Sequence, residues 1–127
     1  MIDCCLDTSV LIDLIKERKG ADKLVSRFAR LGISHVVVGE LLLGGYKARH
    51  PNETFKIIEA LKDITILSAD VLTAEIYAKV RFELEKQGST IPQNDIWIAA
   101  VTLQANVPLI TRDQHFRRIP QLKVLEY

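Results

Sequence analysis

Ile2-Asp3-Cys4-Cys5-Leu6-Asp7-Thr8-Ser9-Val10-Leu11 is the stretch on which the fold turns. Residues 2 to 6 are short and apolar enough to predict a buried strand. Asp7, Thr8 and Ser9 are residue types that cap helices, because each offers a side-chain oxygen to the free N–H groups of a first turn. Val10, Leu11 and Leu14 then recur at helical spacing. A strand that runs through a polar triplet into a helix is the opening half of a βα unit.

The alternation continues downstream. Ala21, Leu24, Val25, Phe28 and Leu31 predict a second helix between Gly20 and Gly32, ahead of a strand near Ile33 to His35. The valines from Val36 suit a strand while Glu40-Leu41-Leu42-Leu43-Gly44 suits a helix, so the switch falls near Val36 or Val37. Pro51, Asn52 and Glu53 open a helix carrying Phe55, Ile58 and Leu61, and Ile64 to Leu67 reads as a strand. A long helix is expected from about Val71 to Gln87, with Leu72, Ile76, Val80 and Leu84 on one stripe and Gly88 as its stop. After a loop, Asn94 is expected to cap a helix from Asp95 to Leu103 that is apolar nearly all round and must be buried. Val107 to Ile110 and Leu122 to Leu125 supply two more strands. Strands separated by single or paired helices predict one α/β domain over residues 1–127, with three α/β/α layers on a mostly parallel five-stranded sheet.

Bulk properties narrow the function only by exclusion. The 127 residues suffice for one hydrophobic core, and 48% apolar with 26% charged residues argues against disorder. A net charge of +1 gives no reason to expect nucleic acid from composition alone. Basic residues do gather in Lys16-Glu17-Arg18-Lys19, around Lys47, Arg49 and His50, and in Arg112 with His115, Arg117 and Arg118, but each group alone reads as a solvated face or helix end. The opening residues lack a basic segment leading into a long apolar run, and no later run could span a bilayer, so an unexported cytoplasmic protein without a membrane partner is expected. Adjacent residues of a strand face opposite ways, so Cys4 and Cys5 are read as reduced core residues, neither a mutual disulfide nor a zinc site.

Four acids stand where acids are costly. In open parallel sheets the functional crevice lies outside the carboxyl ends of the strands. Asp7 follows the first strand directly, and Asp113 lies three residues beyond Ile110. Glu40 sits among Val36-Val37-Val38-Gly39 and Leu41-Leu42-Leu43, where an unpaired charge would cost several kcal/mol or hold a proton. Asp95 stands at the head of the buried helix. Singly, each aspartate reads as a helix cap, and Glu40 could reach out from the edge of an apolar face. Jointly, four carboxylates on one crevice would raise one another's pKa values unless a cation sat among them. Hard oxygen donors suit Mg²⁺ or Mn²⁺. His35, His50 and His115 show no ligand-type pairing and are read as surface or hydrogen-bonding residues.

Four blocks in order resemble the PIN domains, and within them the VapC toxins of toxin–antitoxin modules. They are Leu6-Asp-Thr-Ser-Val-Leu-Ile-Asp13, Gly39-Glu-Leu-Leu-Leu-Gly44, Pro92-Gln-Asn-Asp-Ile-Trp-Ile-Ala-Ala100, and Leu109-Ile-Thr-Arg-Asp113 with His115-Phe116. The resemblance covers almost the whole chain and places the family's acids on Asp7, Glu40, Asp95 and Asp113, both as metal ligands and as the catalytic set. Thr8 or Ser9 and Thr111 become the supporting hydroxyls. Some relatives carry a further acid where this chain has Ile98, so a four-acid site is expected, and Asp13 is assigned to the surface of the first helix. The implied activity is a Mg²⁺- or Mn²⁺-dependent endoribonuclease that hydrolyses RNA phosphodiester bonds and so inhibits translation and growth. Arg112, His115 and Arg117 are weaker candidates for gripping the RNA backbone. The implied partners are an RNA substrate, a VapB-like antitoxin that covers the groove, and a second copy of the chain in a homodimer.

Two alternatives remain at this stage. One is a catalytically silent PIN-like interaction module. The other is a phosphotransferase with an aspartyl nucleophile on a similar sheet, though haloacid-dehalogenase-like phosphatases need a second Asp where this chain has Ser9.

Overall fold

The computed structural model describes residues 1–18 and 20–127, so Lys19, one of the first basic group, lies outside the described residues. Five strands form the sheet: β1 (Cys4–Leu6), β2 (Leu31–Ser34), β3 (Thr65–Leu67), β4 (Leu109–Ile110) and β5 (Val124–Leu125). Their order across the sheet is β3-β2-β1-β4-β5, and every pairing is parallel. The helices between them are α1 (Thr8–Ile15), α2 (Ala21–Val25), α3 (His35–Lys47), α4 (Glu53–Ala60), α5 (Val71–Gln87) and α6 (Gln93–Ala105), followed by a short 3₁₀ turn, Gln114–Arg118.

Strand order explains the layers. The chain moves from β1 to β2 to β3 in one direction, then returns past β1 to β4 and β5 in the other. Right-handed crossovers therefore put α1 to α4 on one face and α5 and α6 on the opposite face. This is the expected three-layer arrangement, with a sheet wholly parallel rather than mostly so. The reversal of direction falls between β1 and β4, where Leu6 pairs with Ile110. A crevice opens at such a switch point.

The central strands are sealed on both faces. Cys4, Leu6, Ile33, Leu109 and Ile110 have no exposed surface, and Phe116 from the 3₁₀ turn is equally buried. Each large side chain of this kind contributes about 1.5–3 kcal/mol by leaving water. Cys4 and Cys5 are free thiols in this core, and burial pushes them up to about 12 and about 11 respectively, so they are neutral packing groups. Tyr77 of α5 stacks on Trp97 of α6 with ring centroids 3.9 Å apart, which pins the two helices of the second layer together.

Local signals placed some elements well. Helix α5 has the expected bounds: Asp70 and Thr73 form a reciprocal capping box, and Gly88 ends the helix at φ 68°, a left-handed conformation that glycine takes without Cβ strain. Other boundaries moved. Leu31, expected in a helix, lies in β2, where it pairs with Cys4, and the second helix ends at Val25. His35, expected in the strand, opens α3 because the Ser34 hydroxyl accepts from the Val36 N–H and starts the helix there. Asn94 is not a cap, since α6 begins at Gln93 after Pro92. On α4 the buried residue is Ile57, while Phe55 and Ile58 are exposed, and Leu72 of α5 is likewise exposed.

Candidate functional site

Asp7 and Asp113 follow adjacent strands at the switch point, so backbone pairing brings the stretches that carry them side by side. Asp7 N–H donates to Ile110 O at 3.1 Å, which locks the first residue beyond β1 to the end of β4. The Thr111 hydroxyl then joins the two acids. It donates to Asp7 Oδ2 at 2.8 Å and accepts from the Asp113 N–H at 2.9 Å. Thr111 has no exposed surface, so this link is shielded from competing water.

Asp7 is both a cap and part of the acidic site. Its Oδ1 accepts from the Thr8 N–H at 2.7 Å at the start of α1, and its Oδ2 also accepts from Ser9 Oγ at 3.1 Å. The side chain is held by neutral donors and lies in a residue only 4% exposed. Burial pushes its pKa upward; the donors from Thr111, Thr8 and Ser9 oppose that, and the neighbouring Asp113 charge adds to it.

Asp95 projects from the first turn of α6, with its side chain 15% exposed. Burial pushes its pKa up to about 6, the hydrogen bond from His115 works downward, and the charges of Asp7 and Asp113 push it up further. The like charges of Asp7, Asp95 and Asp113 thus act on one another.

His115 completes the inner group. Asp113 caps the 3₁₀ turn by accepting from the His115 N–H at 2.9 Å, and the turn swings the imidazole back over the acids. Nδ1 lies 3.2 Å from Asp95 Oδ2 and 3.1 Å from Asp113 Oδ1. Among the described residues, Asp95, Asp113 and His115 form the group whose ligand atoms all lie within 4.8 Å of one another. His115 had been read as lacking any ligand-type pairing, and the structure corrects that. Its spacing of two residues from Asp113 carries meaning only once the turn is known.

Glu40 stands at the side of this group. On α3 it is half-buried, accepting from Thr8 Oγ1 at 2.7 Å and from Asn94 Nδ2 at 3.5 Å, the latter at the outer limit of a hydrogen bond. Glu40 is thus tied to Thr8, the residue after Asp7, and to Asn94, the residue before Asp95. Beside it runs a groove of about 160 Å³ lined by Ile12, Ile15, Leu41, Gly44 and Ile57 among others.

The basic candidates divide. His115 is in the site. Arg112 is instead committed to Asp13, with Nε 2.8 Å from Oδ2 and Nη2 3.4 Å from Oδ1, and Arg117 pairs with Glu126 at 2.6 Å on the surface. Asp13 had been assigned to the surface of the first helix. It is 3% exposed, and it also accepts from Arg18 Nη1 at 3.0 Å and from the Tyr127 hydroxyl. Burial works to raise its pKa, but the donors from Tyr127, Arg112 and Arg18 outweigh it and hold the carboxyl below its usual range.

The donor set fits a hard divalent cation. Carboxylate oxygens dominate, the acids raise one another's proton affinity, and no lysine or arginine takes part in the hydrogen bonds of Asp7, Glu40, Asp95 or Asp113 among the described residues. A nearby positive charge would relieve that repulsion.

Comparison with known proteins gives a consistent picture. Residues 4–122 match the profile of the PIN domain. The chain is 32% identical to Ribonuclease VapC2 of Haemophilus influenzae over 129 residues, covering 97% of this chain and 96% of that one. It is 34% identical to Ribonuclease VapC of Rickettsia bellii over 125 residues, covering 94% and 92%. Among solved structures it is similar to VapBC2 from Rickettsia felis bound to a DNA fragment from their promoter, with a TM-score of 0.89 at 26% identity and 98% of both chains covered. VapBC-1 from nontypeable Haemophilus influenzae gives a TM-score of 0.87 at 26% identity, again with 98% of both chains covered.

Proposed function

The chain belongs to the PIN-domain family, and from that premise we propose that it is a VapC-like toxin, an endoribonuclease that uses Mg²⁺ or Mn²⁺ and is neutralised by a VapB-like antitoxin. The observation that carries the reading is the convergence of Asp7, Asp95 and Asp113 on one charge-coupled site at the switch point of the sheet, with Glu40 at its side.

Asp95 and Asp113 would hold the ion, Asp7 and Glu40 would complete its shell directly or through water, and these four are the catalytic set. When bound, such an ion supplies Lewis-acid polarisation of the scissile phosphate and a lowered pKa for the attacking water. The protein's part is positioning. Thr111, Ser9 and the Thr8 N–H fix the Asp7 carboxylate, and Thr8 and Asn94 fix Glu40. His115 bridges Asp95 and Asp113, and its half-exposed ring would meet a phosphate oxygen of the RNA. Arg117 is a poorer candidate for that contact, because Glu126 already neutralises it.

A partner chain has apolar surface to cover. Leu43 and Tyr46 on α3 and Phe55 and Ile58 on α4 are exposed, and Glu40 itself lines the groove between α1, α3 and α4. An antitoxin segment laid there would block access to the site, and the toxin would act as a homodimer. No helix among the described residues is long and apolar enough to cross a membrane, which suits a proposed cytoplasmic site of action.

The test is cleavage of RNA by purified protein. Activity is expected with Mg²⁺ or Mn²⁺, is abolished by EDTA, and is lost in a folded Asp95→Asn variant. Undiminished cleavage in EDTA, or by that variant, would overturn the reading.

A further inference from the structure

We propose that Asp13 is a positioning residue for the acidic site, acting through Arg112 to clamp the Thr111-Arg112-Asp113 segment against α1. The inference rests on the metal-dependent reading above and adds residues that the four-acid pattern leaves out.

The segment between Ile110 and the 3₁₀ turn carries two of the groups that define the site. Strand β4 ends at Ile110, and Thr111 N–H donates to Leu125 O at 3.0 Å as the strand runs out. From there on, side chains set the path of the chain. The Thr111 hydroxyl grips Asp7 at the first turn of α1, and the Arg112 guanidinium grips Asp13 about 9 Å further along the same helix, given a rise of about 1.5 Å per residue. Two fastenings on one rigid rod fix both the position and the rotation of the peptide between them. Released at Arg112, the segment could pivot about Thr111, and Asp113 would swing relative to Asp95 and His115.

Asp13 is built for this role. It is 3% exposed, and its two oxygens receive the Arg112 fork, Arg18 and the Tyr127 hydroxyl. A forked contact constrains direction as well as distance, which a lysine could not do. Arg112 is therefore held within the protein instead of reaching for RNA. Tyr127 brings the stretch after β5 onto the same carboxylate, so the end of the sheet and α1 share one anchor.

The test uses Mn²⁺ titration by calorimetry alongside steady-state RNA cleavage, on wild type, Asp13→Asn, Arg112→Gln and the double variant. Both single variants are expected to lose about tenfold in Mn²⁺ affinity and in kcat while KM for RNA stays unchanged, the scale seen when groups that orient metal ligands are removed. The double variant should lose no more than either single one, because both break the same clamp. Arg112→Lys should recover part of the loss. Wild-type Mn²⁺ affinity and kcat in variants that merely melt earlier would overturn the proposal in favour of a stability role. A raised, salt-dependent KM in Arg112→Gln, absent from Asp13→Asn, would overturn it in favour of RNA contact. Should Asp13→Asn fail to fold, Tyr127→Phe removes one donor and is expected to lower Mn²⁺ affinity about threefold, a partial loss within the same scale; wild-type affinity in that variant counts against the clamp. If wild type binds Mn²⁺ but cuts no RNA, the nuclease reading falls, while the Mn²⁺ arm still decides the clamp.

Discussion

Asp7 and Asp13 lie six residues apart at the two ends of α1, and both are almost wholly buried, yet their surroundings are opposite in kind. Around Asp7 the hydrogen bonds come from neutral groups, Thr8 N–H, Ser9 and Thr111, and the charges that act with it are the like charges of Asp113 and Asp95. Around Asp13 two guanidinium groups and a phenol supply the donors. The first carboxylate is pushed toward protonation and the second is held below its usual range. Burial alone thus says little about a carboxylate's role. What separates a site that invites an ion from one that is already satisfied is whether the protein supplies the countercharge itself.

The sharpest way to break that comparison is to neutralise each aspartate in turn. Asp7→Asn should lower RNA cleavage by about 10²–10³-fold or more, the scale of losing one pre-organised electrostatic contact. Asparagine still caps α1, and the buried repulsion is removed, so metal-free Asp7→Asn should unfold at the same urea concentration as wild type or a higher one. Asp13→Ala should do the reverse to stability. It leaves Arg112, Arg18 and Tyr127 without their acceptor and should cost about 2 kcal/mol, moderated because both arginines are half-exposed and can turn to water. Urea unfolding in EDTA measures both. A loss of stability in Asp7→Asn equal to that in Asp13→Ala would erase the distinction.

Which parts of this were legible beforehand follows from the range of the interactions. Helix α5 could be bounded because Asp70, Thr73 and Gly88 act within a turn of their own positions. The acids could be singled out because Glu40 and Asp95 are at odds with their apolar neighbours and Asp7 and Asp113 follow strands. Leu31 was misplaced because pairing of β2 with β1, rather than local propensity, decides where that strand starts, and His35 because the Ser34 hydroxyl ends the strand by capping α3. Phe55, Ile58 and Leu61 mark α4 in the sequence, but the helix turns Ile57 toward α3, where Gly45 allows its Cδ1 to approach within 3.1 Å of a would-be Cβ. Asp13 was sent to the surface because its partners Arg112 and Tyr127 lie 99 and 114 residues away, beyond any periodicity. His115, a candidate for the RNA backbone, went unpaired with the acids because that pairing depends on a turn folding it back onto Asp95, 20 residues upstream.

The two aspartates should also respond to pH in opposite directions. Asp95, whose folded pKa is raised to about 6 by burial, and Asp7, raised likewise, cost the metal-free fold stability when ionised. For Asp95 that cost is fully present above about pH 6 and is relieved as the pH falls toward the unfolded value near 3.8. Asp13 has its folded pKa lowered, so its contribution is present above 3.8 and is lost as the pH falls through its folded value. Melting in EDTA should therefore rise by about 3 °C between pH 7 and pH 5 and then fall steeply in more acid solution. Mn²⁺ binding should weaken over the same interval, since the ion competes with a proton on Asp95. A melting temperature that falls steadily from pH 7 would mean that the acids at the switch point are not under strain.

The smallest effect is expected at Arg117, which tests whether countercharge has to be buried to matter. Like Arg112 it is bound to a carboxylate, with Nε 2.6 Å from Glu126 Oε1, but both partners reach solvent. An exposed pair of this kind is worth about 0–1 kcal/mol, because water solvates either charge nearly as well as the other does. Arg117→Ala should therefore shift the urea midpoint negligibly and leave Mn²⁺ affinity unchanged, in contrast to both variants at the Asp13 clamp. Its effect on RNA binding should also be slight, because a phosphate would first have to displace Glu126. A severalfold rise in KM that disappears at high salt would show that Arg117 leaves Glu126 for the RNA backbone, and the mouth of the site would then extend along the 3₁₀ turn beyond His115.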